Sequence, residues 1–204
     1  MSGLSLSLGL GLTALRAVAA APSLLDNFTD ADTTNLSAHT ADSGEAWTAT
    51  AGAVLINGNK AYPSTVTALY RSAWEPPSAE YDVEAVIEFK TIINQAVYIV
   101  ARCADASNFY YAGKHATTHK WVFGKNVAGV FTELGTHATG PSAGNSYTLR
   151  LEVRDATKTF YVDDVQIGQS ADNALTAAQR PGIRAAAVAS TTTTGAHYDR
   201  LLAA

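Results

Sequence analysis

The chain of 204 residues has one cysteine, Cys103, so no intramolecular disulfide framework can form and stability must come from burial. It is also poor in charge. Only 16% of residues are charged, the formal net charge is -4, and no run of Lys or Arg occurs anywhere. This excludes the basic footprint of a nucleic-acid binder, and the negative total makes acidic polymers poor partners. No apolar stretch is long enough for a membrane-spanning helix, since Gly, Ser and Arg16 interrupt the N-terminal one. Long segments with helical apolar spacing are missing too; residues 173–179 allow at most a short helix. What the chain does have is 47% hydrophobic residues, enough for a sizeable core, in a length that suits one all-β domain.

The first twelve residues place Leu4, Leu6, Leu8, Leu10 and Leu12 at every second position, with only Ser or Gly between them. That is the period of a strand with one leucine face and one nearly flat face. The expectation is an arm that joins the sheet edge of another chain or threads an oligomer's centre; the alternative is an ordinary first strand of the domain's own sandwich. Ala17-Val18-Ala19-Ala20-Ala21 looks like a leader-cleavage site, but the first fifteen residues contain no Lys or Arg. No cleaved signal peptide is therefore expected. The small-residue stretch ending at Pro22 reads as a linker, so residues 1–22 form arm and linker and residues 23–204 form the domain.

Within the domain, short alternating runs are separated by turn residues. Tyr81, Val83, Ala85, Ile87 and Phe89 share one strand face, as do Tyr147, Leu149, Leu151 and Val153. Asn57-Gly58, after Val54-Leu55-Ile56, predicts a hairpin with both residues at positive φ. Further turns are expected at Asp155-Ala156 and Asp163-Asp164. Cys103 ends the apolar run Ala96 to Cys103 with no His or acid motif beside it, which predicts a packed structural thiol.

The run YTLRLEVRDATKTFYVDDVQIG (147–168) resembles the paired strands near the end of laminin-G-like and other concanavalin A-like jelly-roll domains, with Asp164 where that pattern has glycine. Residues 24–47, 97–113 and 180–188 are similar as well, and HYDRLLA (197–203) fits a last strand that pairs with the first. The resemblance implies an all-β, concanavalin A-like antiparallel sandwich with an extended N-terminal arm. Together with the Ser/Leu/Gly-rich leader, it is similar to phage and prophage virion proteins. This implies a head-decoration, spike or tail-fibre subunit at the particle surface. Such a subunit is anchored by its arm to other virion proteins or to copies of itself, and displays a lectin-like sandwich toward host-surface polysaccharide. The alternatives are a stand-alone carbohydrate-binding module and a retaining glycoside hydrolase.

The hydrolase alternative rests on Glu80, Asp82 and Glu84, whose i, i+2, i+4 spacing puts three carboxylates on one strand face. They match the E-x-D-x-E pattern of the laminarinase and xyloglucan-transglycosylase families, which implies Glu80 as nucleophile and Glu84 as acid/base. Against it, Glu88 and Lys90 extend the same polar face, and Ala85-Val86 stand where flanking aromatics would be. A half-buried strand with solvated acids is the expectation, and no catalytic residue is assigned. His115 and His119 have metal-ligand spacing, but Gly113 and Ala116-Thr117-Thr118 place them in a loop. No cofactor is expected except a candidate calcium ion, which the resemblance implies, with Asp26, Asp30 and Asp32 as hard oxygen ligands; Asx turns are the competing account. Tyr111 and Trp121 are the candidate glycan contacts, with at least half the rings near them expected in the core.

Overall fold

The computed structural model describes residues 23–204, and the arm with Leu4, Leu6, Leu8, Leu10 and Leu12 lies outside the described residues. The described residues form two antiparallel sheets. The eight-stranded sheet runs, in spatial order, β13 (Val165–Ala171), β12 (Thr157–Val162), β11 (Asn145–Arg154), β6 (Tyr81–Phe89), β15 (Ala196–Ala203), β4 (Ala61–Pro63) and β3 (Val54–Ile56). Its eighth strand, β1 (Leu24–Asp26), pairs with β15 off that path. The seven-stranded sheet runs β10 (Val130–Thr136), β9 (Trp121–Val127), β8 (Asn108–Lys114), β7 (Ala96–Asp105), β14 (Arg180–Ala186), β5 (Ala68–Ser72) and β2 (Trp47–Ala51). Only one short 3-10 turn, Leu36–Ala38, interrupts the strands, and no helix of the described residues is long and apolar enough to cross a membrane.

The alternating runs become the inner face of the eight-stranded sheet. In β6, Tyr81, Val83, Ala85, Ile87 and Phe89 are all buried, and the pairing sets Leu149 opposite Ala85 and Leu151 opposite Val83 on β11. Residues directly opposite in an antiparallel pair share a face, so the two runs form one apolar surface. The chain closes as expected, with Leu24 of β1 opposite Ala203 of β15.

Two turns differ in detail from the sequence reading. In the β3–β4 hairpin the positive φ angles fall on Gly58 (58°) and Asn59 (56°), one residue later than expected, and the Asn57 amide donates to the Lys60 carbonyl at 2.9 Å. At Asp163-Asp164 the absent glycine does not abolish the turn, since both aspartates take left-handed angles of 49° and 62°. Short polar side chains tolerate that region best, and here the Thr148 amide donates to Asp163 Oδ1 at 2.8 Å, tying the turn to the sheet. Residues 173–179 form no helix; the Leu175 and Gln179 carbonyls accept from Arg102 and Tyr81 instead.

Candidate functional site

Strand β7 is the key to the site. It is apolar at nearly every position, so both of its faces are covered, and alternation sends Val97, Ile99 and Ala101 into the core between the sheets. Ala96, Tyr98 and Val100 point the other way, into a second apolar layer on the outer face of the seven-stranded sheet. Arg102, at φ 48°, shifts the register, so Cys103 joins the outer layer. Burial pushes the Cys103 thiol up to about 12, which makes it inert, in line with the structural reading. Neighbouring strands extend this layer with Leu69, Phe109, Tyr111 and Val122.

Above this layer opens a groove of about 290 Å³ lined by Tyr98, Tyr111, His115, Phe131, Glu133 and Arg184. The pairing register assembles it. Arg184 of β14 lies opposite Tyr98 of β7, while Gly124 of β9 lies opposite both Tyr111 of β8 and Glu133 of β10. Gly124 is required there, because a Cβ would fall 2.8 Å from Tyr111 Cζ. Without one, the tyrosine ring packs against the bare backbone of Gly124. The Tyr98 and Tyr111 rings are 4.7 Å apart, and Phe131, itself 46% exposed, stands 5.6 Å from Tyr111 as a wall.

The polar groups of the groove divide into tied and free. His115 Nδ1 accepts the Thr117 and Thr118 amides, both at 3.3 Å, which leaves Nε2 facing Glu133 at 3.7 Å. The other Glu133 oxygen accepts the Thr136 hydroxyl at 2.8 Å. By contrast, the hydroxyls of Tyr98 and Tyr111 have no hydrogen-bond partner among the described residues. Burial raises both tyrosines, Tyr98 to about 12, so both stay neutral donors.

Of the two expected glycan contacts, Tyr111 is in the groove and Trp121 is not. Trp121 is 3% exposed and packs in the inter-sheet core, 5.9 Å from Phe89 and 5.3 Å from Tyr147. Strand β9 begins at this residue, and alternation turns Val122 outward in its place. Tyr98, Phe131 and Arg184 were missed. Their signal was the unbroken apolar run of β7, which marks a strand covered on both faces and hence a second layer.

The E-x-D-x-E residues lie on the opposite side of the molecule, on the outer face of the eight-stranded sheet, and two of the three pair with arginines there. Asp82 sits 2.5 Å from Arg154 and 3.8 Å from Arg150; Glu84 sits 2.6 Å from Arg200. Glu80 precedes the strand, and its carboxylate accepts the Asp155 amide at 3.2 Å. Partial burial raises the Asp82 carboxyl despite its arginine partners.

The three aspartates expected as calcium ligands are each engaged by groups of the protein. Asp26 is fully buried, and its oxygens accept the Trp47 indole N–H at 2.6 Å and the Phe28 amide at 2.7 Å and meet His39 Nε2 at 2.9 Å. Asp30 meets His39 Nδ1 at 3.2 Å, and Asp32 accepts the Gly58 amide at 2.8 Å. Asp26 and Asp30 thus clasp His39 from two sides, while Asp32 reaches across to the β3–β4 turn. Among the described residues no group of three His, Cys, Asp or Glu is placed to hold a metal ion.

No family model and no curated protein matches the chain. Solved structures are similar in fold. Carbohydrate binding module CBM66 from Bacillus subtilis aligns with a TM-score of 0.60 at 18% identity, over 76% of this chain and 89% of its own. The Bacillus licheniformis β-glucanase aligns at 0.54 and 12%, over 91% of this chain and 99% of its own. The carbohydrate recognition domain of Emp47p aligns at 0.57 and 8%, over 91% and 95%. The fold is thus the concanavalin A-like jelly roll, which serves a glucanase as well as carbohydrate-binding domains.

Proposed function

We propose that this chain is a non-catalytic carbohydrate-binding module whose ligand lies in the outer groove of the seven-stranded sheet. The observation that carries this reading is the groove itself: the exposed Phe131 ring beside two neutral tyrosine hydroxyls that no protein group uses. Sugars present apolar ring faces and a rim of hydroxyls, which is the chemistry that aromatic walls and unpaired donors complement. The names of two fold neighbours, a carbohydrate binding module and a carbohydrate recognition domain, support the same reading. Its non-catalytic part rests on the carboxylates. A retaining pair needs a free nucleophile and a proton-bearing acid across a bound sugar, whereas Glu84 is paired with Arg200, Glu80 accepts the Asp155 amide, and both lie on the sheet face away from the groove.

Phe131 is the wall most easily removed without touching the core. Phe131→Ala is expected to weaken glycan binding about tenfold, near the ~1.5 kcal/mol expected for one exposed aromatic contact. Calorimetry on oligosaccharides measures it, and the same preparation should release no reducing ends from β-glucans. Unchanged affinity, or turnover, overturns the reading.

A second reading rests on the alternation of Leu4 to Leu12, which suits an arm that joins copies of the chain or anchors it in a particle. Deleting residues 2–16 should then reduce the mass in solution to that of one chain, by light scattering. A full-length protein that is already monomeric sinks the self-association form of this reading.

A further inference from the structure

The groove holds a cation that the protein does not neutralise. Every other arginine of the described residues has a partner: Arg71 donates to the Ala104 carbonyl, Arg102 to those of Ala79 and Leu175, and Arg150, Arg154, Arg180 and Arg200 pair with acids. Arg184 alone among them makes no side-chain hydrogen bond and no ion pair. Its guanidinium carbon stands 4.8 Å over the Phe131 ring and 5.7 Å from that of Phe109, so aromatic faces hold it by cation–π attraction while its N–H fork stays unused. Glu133, the acid lining the groove, is turned to His115 and Thr136 instead. The larger cleft of about 470 Å³ near Arg71 and Arg180 offers no such group, because Arg180 is held 2.9 Å from Glu75 and Arg71 is on a carbonyl.

Arg184 is half-buried among aromatic rings with its N–H fork unused by the protein, and a planar guanidinium fork matches a carboxylate with two parallel hydrogen bonds. We infer that the groove takes an acidic sugar, with the carboxylate of a uronic acid residue on Arg184 and the sugar ring against Phe131. The inference rests on the carbohydrate reading and specifies its ligand. It also revises the expectation drawn from total charge: a net charge of -4 describes the whole surface, whereas selection is made by the local cation.

The test uses the full chain and calorimetric titration with oligogalacturonate, with mixed mannuronate and guluronate oligomers, with the methyl ester of the first, and with a sulfated galactan oligomer. The expected result is that at least one uronate series binds tenfold or more tighter than the neutral ester and tighter than the sulfate. Raising salt from 50 to 500 mM, about a threefold drop in screening length, should weaken it. Arg184→Gln should abolish this preference and Arg184→Lys should restore part of it. Because Arg184 is unpaired in the free protein, Arg184→Met should lose the preference while leaving the melting temperature unchanged or higher. If ester and uronate bind equally and Arg184→Gln changes nothing, or the sulfate binds best, the acidic-sugar assignment is overturned and the carbohydrate reading stands. If no oligosaccharide binds in a broad panel of neutral and acidic sugars, both fall. A large drop in melting temperature in Arg184→Met would make the residue structural and also overturn the assignment.

Discussion

Asp26→Ala should remove about 4 kcal/mol of folding stability, and so lower the melting temperature by roughly 8–16 °C for a domain of this size. The carboxylate is fully buried where β1 meets the rest of the sandwich, and three separate segments converge on it: the Phe28 amide, the Trp47 indole and His39. Truncation leaves these buried groups without their partner, and an unmade buried hydrogen bond to a charged group costs more than the bond itself contributes. Asp26→Asn should be nearly as costly, because its amide NH2 must face one of the same donors. Asp30→Ala should cost far less, since Asp30 is largely exposed and meets only the outer side of His39. Its carboxyl is held below the usual range by the Ala31 amide and by His39. Stability from Asp30 is therefore present above the ordinary aspartate pKa and lost as the pH falls through the lowered one. Chemical denaturation of the three variants checks the order. A loss below 1 kcal/mol for Asp26→Ala would show that the junction is not held this way.

The same cluster shows what the sequence makes legible and what it hides. Acids at 26, 30 and 32 were visible as a group, but their partners, Trp47 and His39, are 21 and 13 residues from Asp26, and spacing alone carries no sign of that convergence. The sandwich itself was readable because β6 and β11 repeat with period 2, and a strand covered on one face writes that period directly into its residues. Strand β7 has no such period, so its outward tyrosine was hidden among core residues. Trp121 misled for a related reason: an aromatic after a loop looks available until the strand's first residue, and with it the phase of the alternation, is known. Arg184 is one of two arginines in the short strand β14, and only the register that sets it opposite Tyr98 shows its setting.

Two buried lysines predict an alkaline rise in stability. Lys114 donates to the Ile93 and Gln95 carbonyls at 2.8 and 2.6 Å, and Lys158 donates to those of Asp155 and Asp172 at 2.6 and 2.9 Å, with the Tyr110 ring beside it. Carbonyl partners satisfy the N–H groups but do not neutralise the charge, so desolvation lowers both lysines to about 8 from 10.5. Between those two values the unfolded chain binds the protons more tightly than the folded one, and stability therefore rises with pH. The rise ends where the tyrosines take over. Burial lifts Tyr98 and Tyr110 to about 12 and Tyr81, Tyr111 and Tyr198 higher still, so above their ordinary value of 10 the unfolded chain loses protons that the fold keeps. At ~1.4 kcal/mol per proton per pH unit, the two lysines together should add on the order of 3 kcal/mol between pH 8 and 9.5, while Cys103, whose buried thiol keeps a proton that the unfolded chain loses near pH 9, offsets roughly 1 kcal/mol of it. The net is a rise of roughly 4–8 °C in melting temperature, followed by a fall above pH 10. Lys114→Met should lower the baseline, because two carbonyls lose their donor, yet cut the slope by more than half; Lys158→Met should act alike, and the double variant should fall slightly from pH 8 to 9.5 as the unfolded chain loses the Cys103 proton. A rise that survives in the double variant would assign it to other groups.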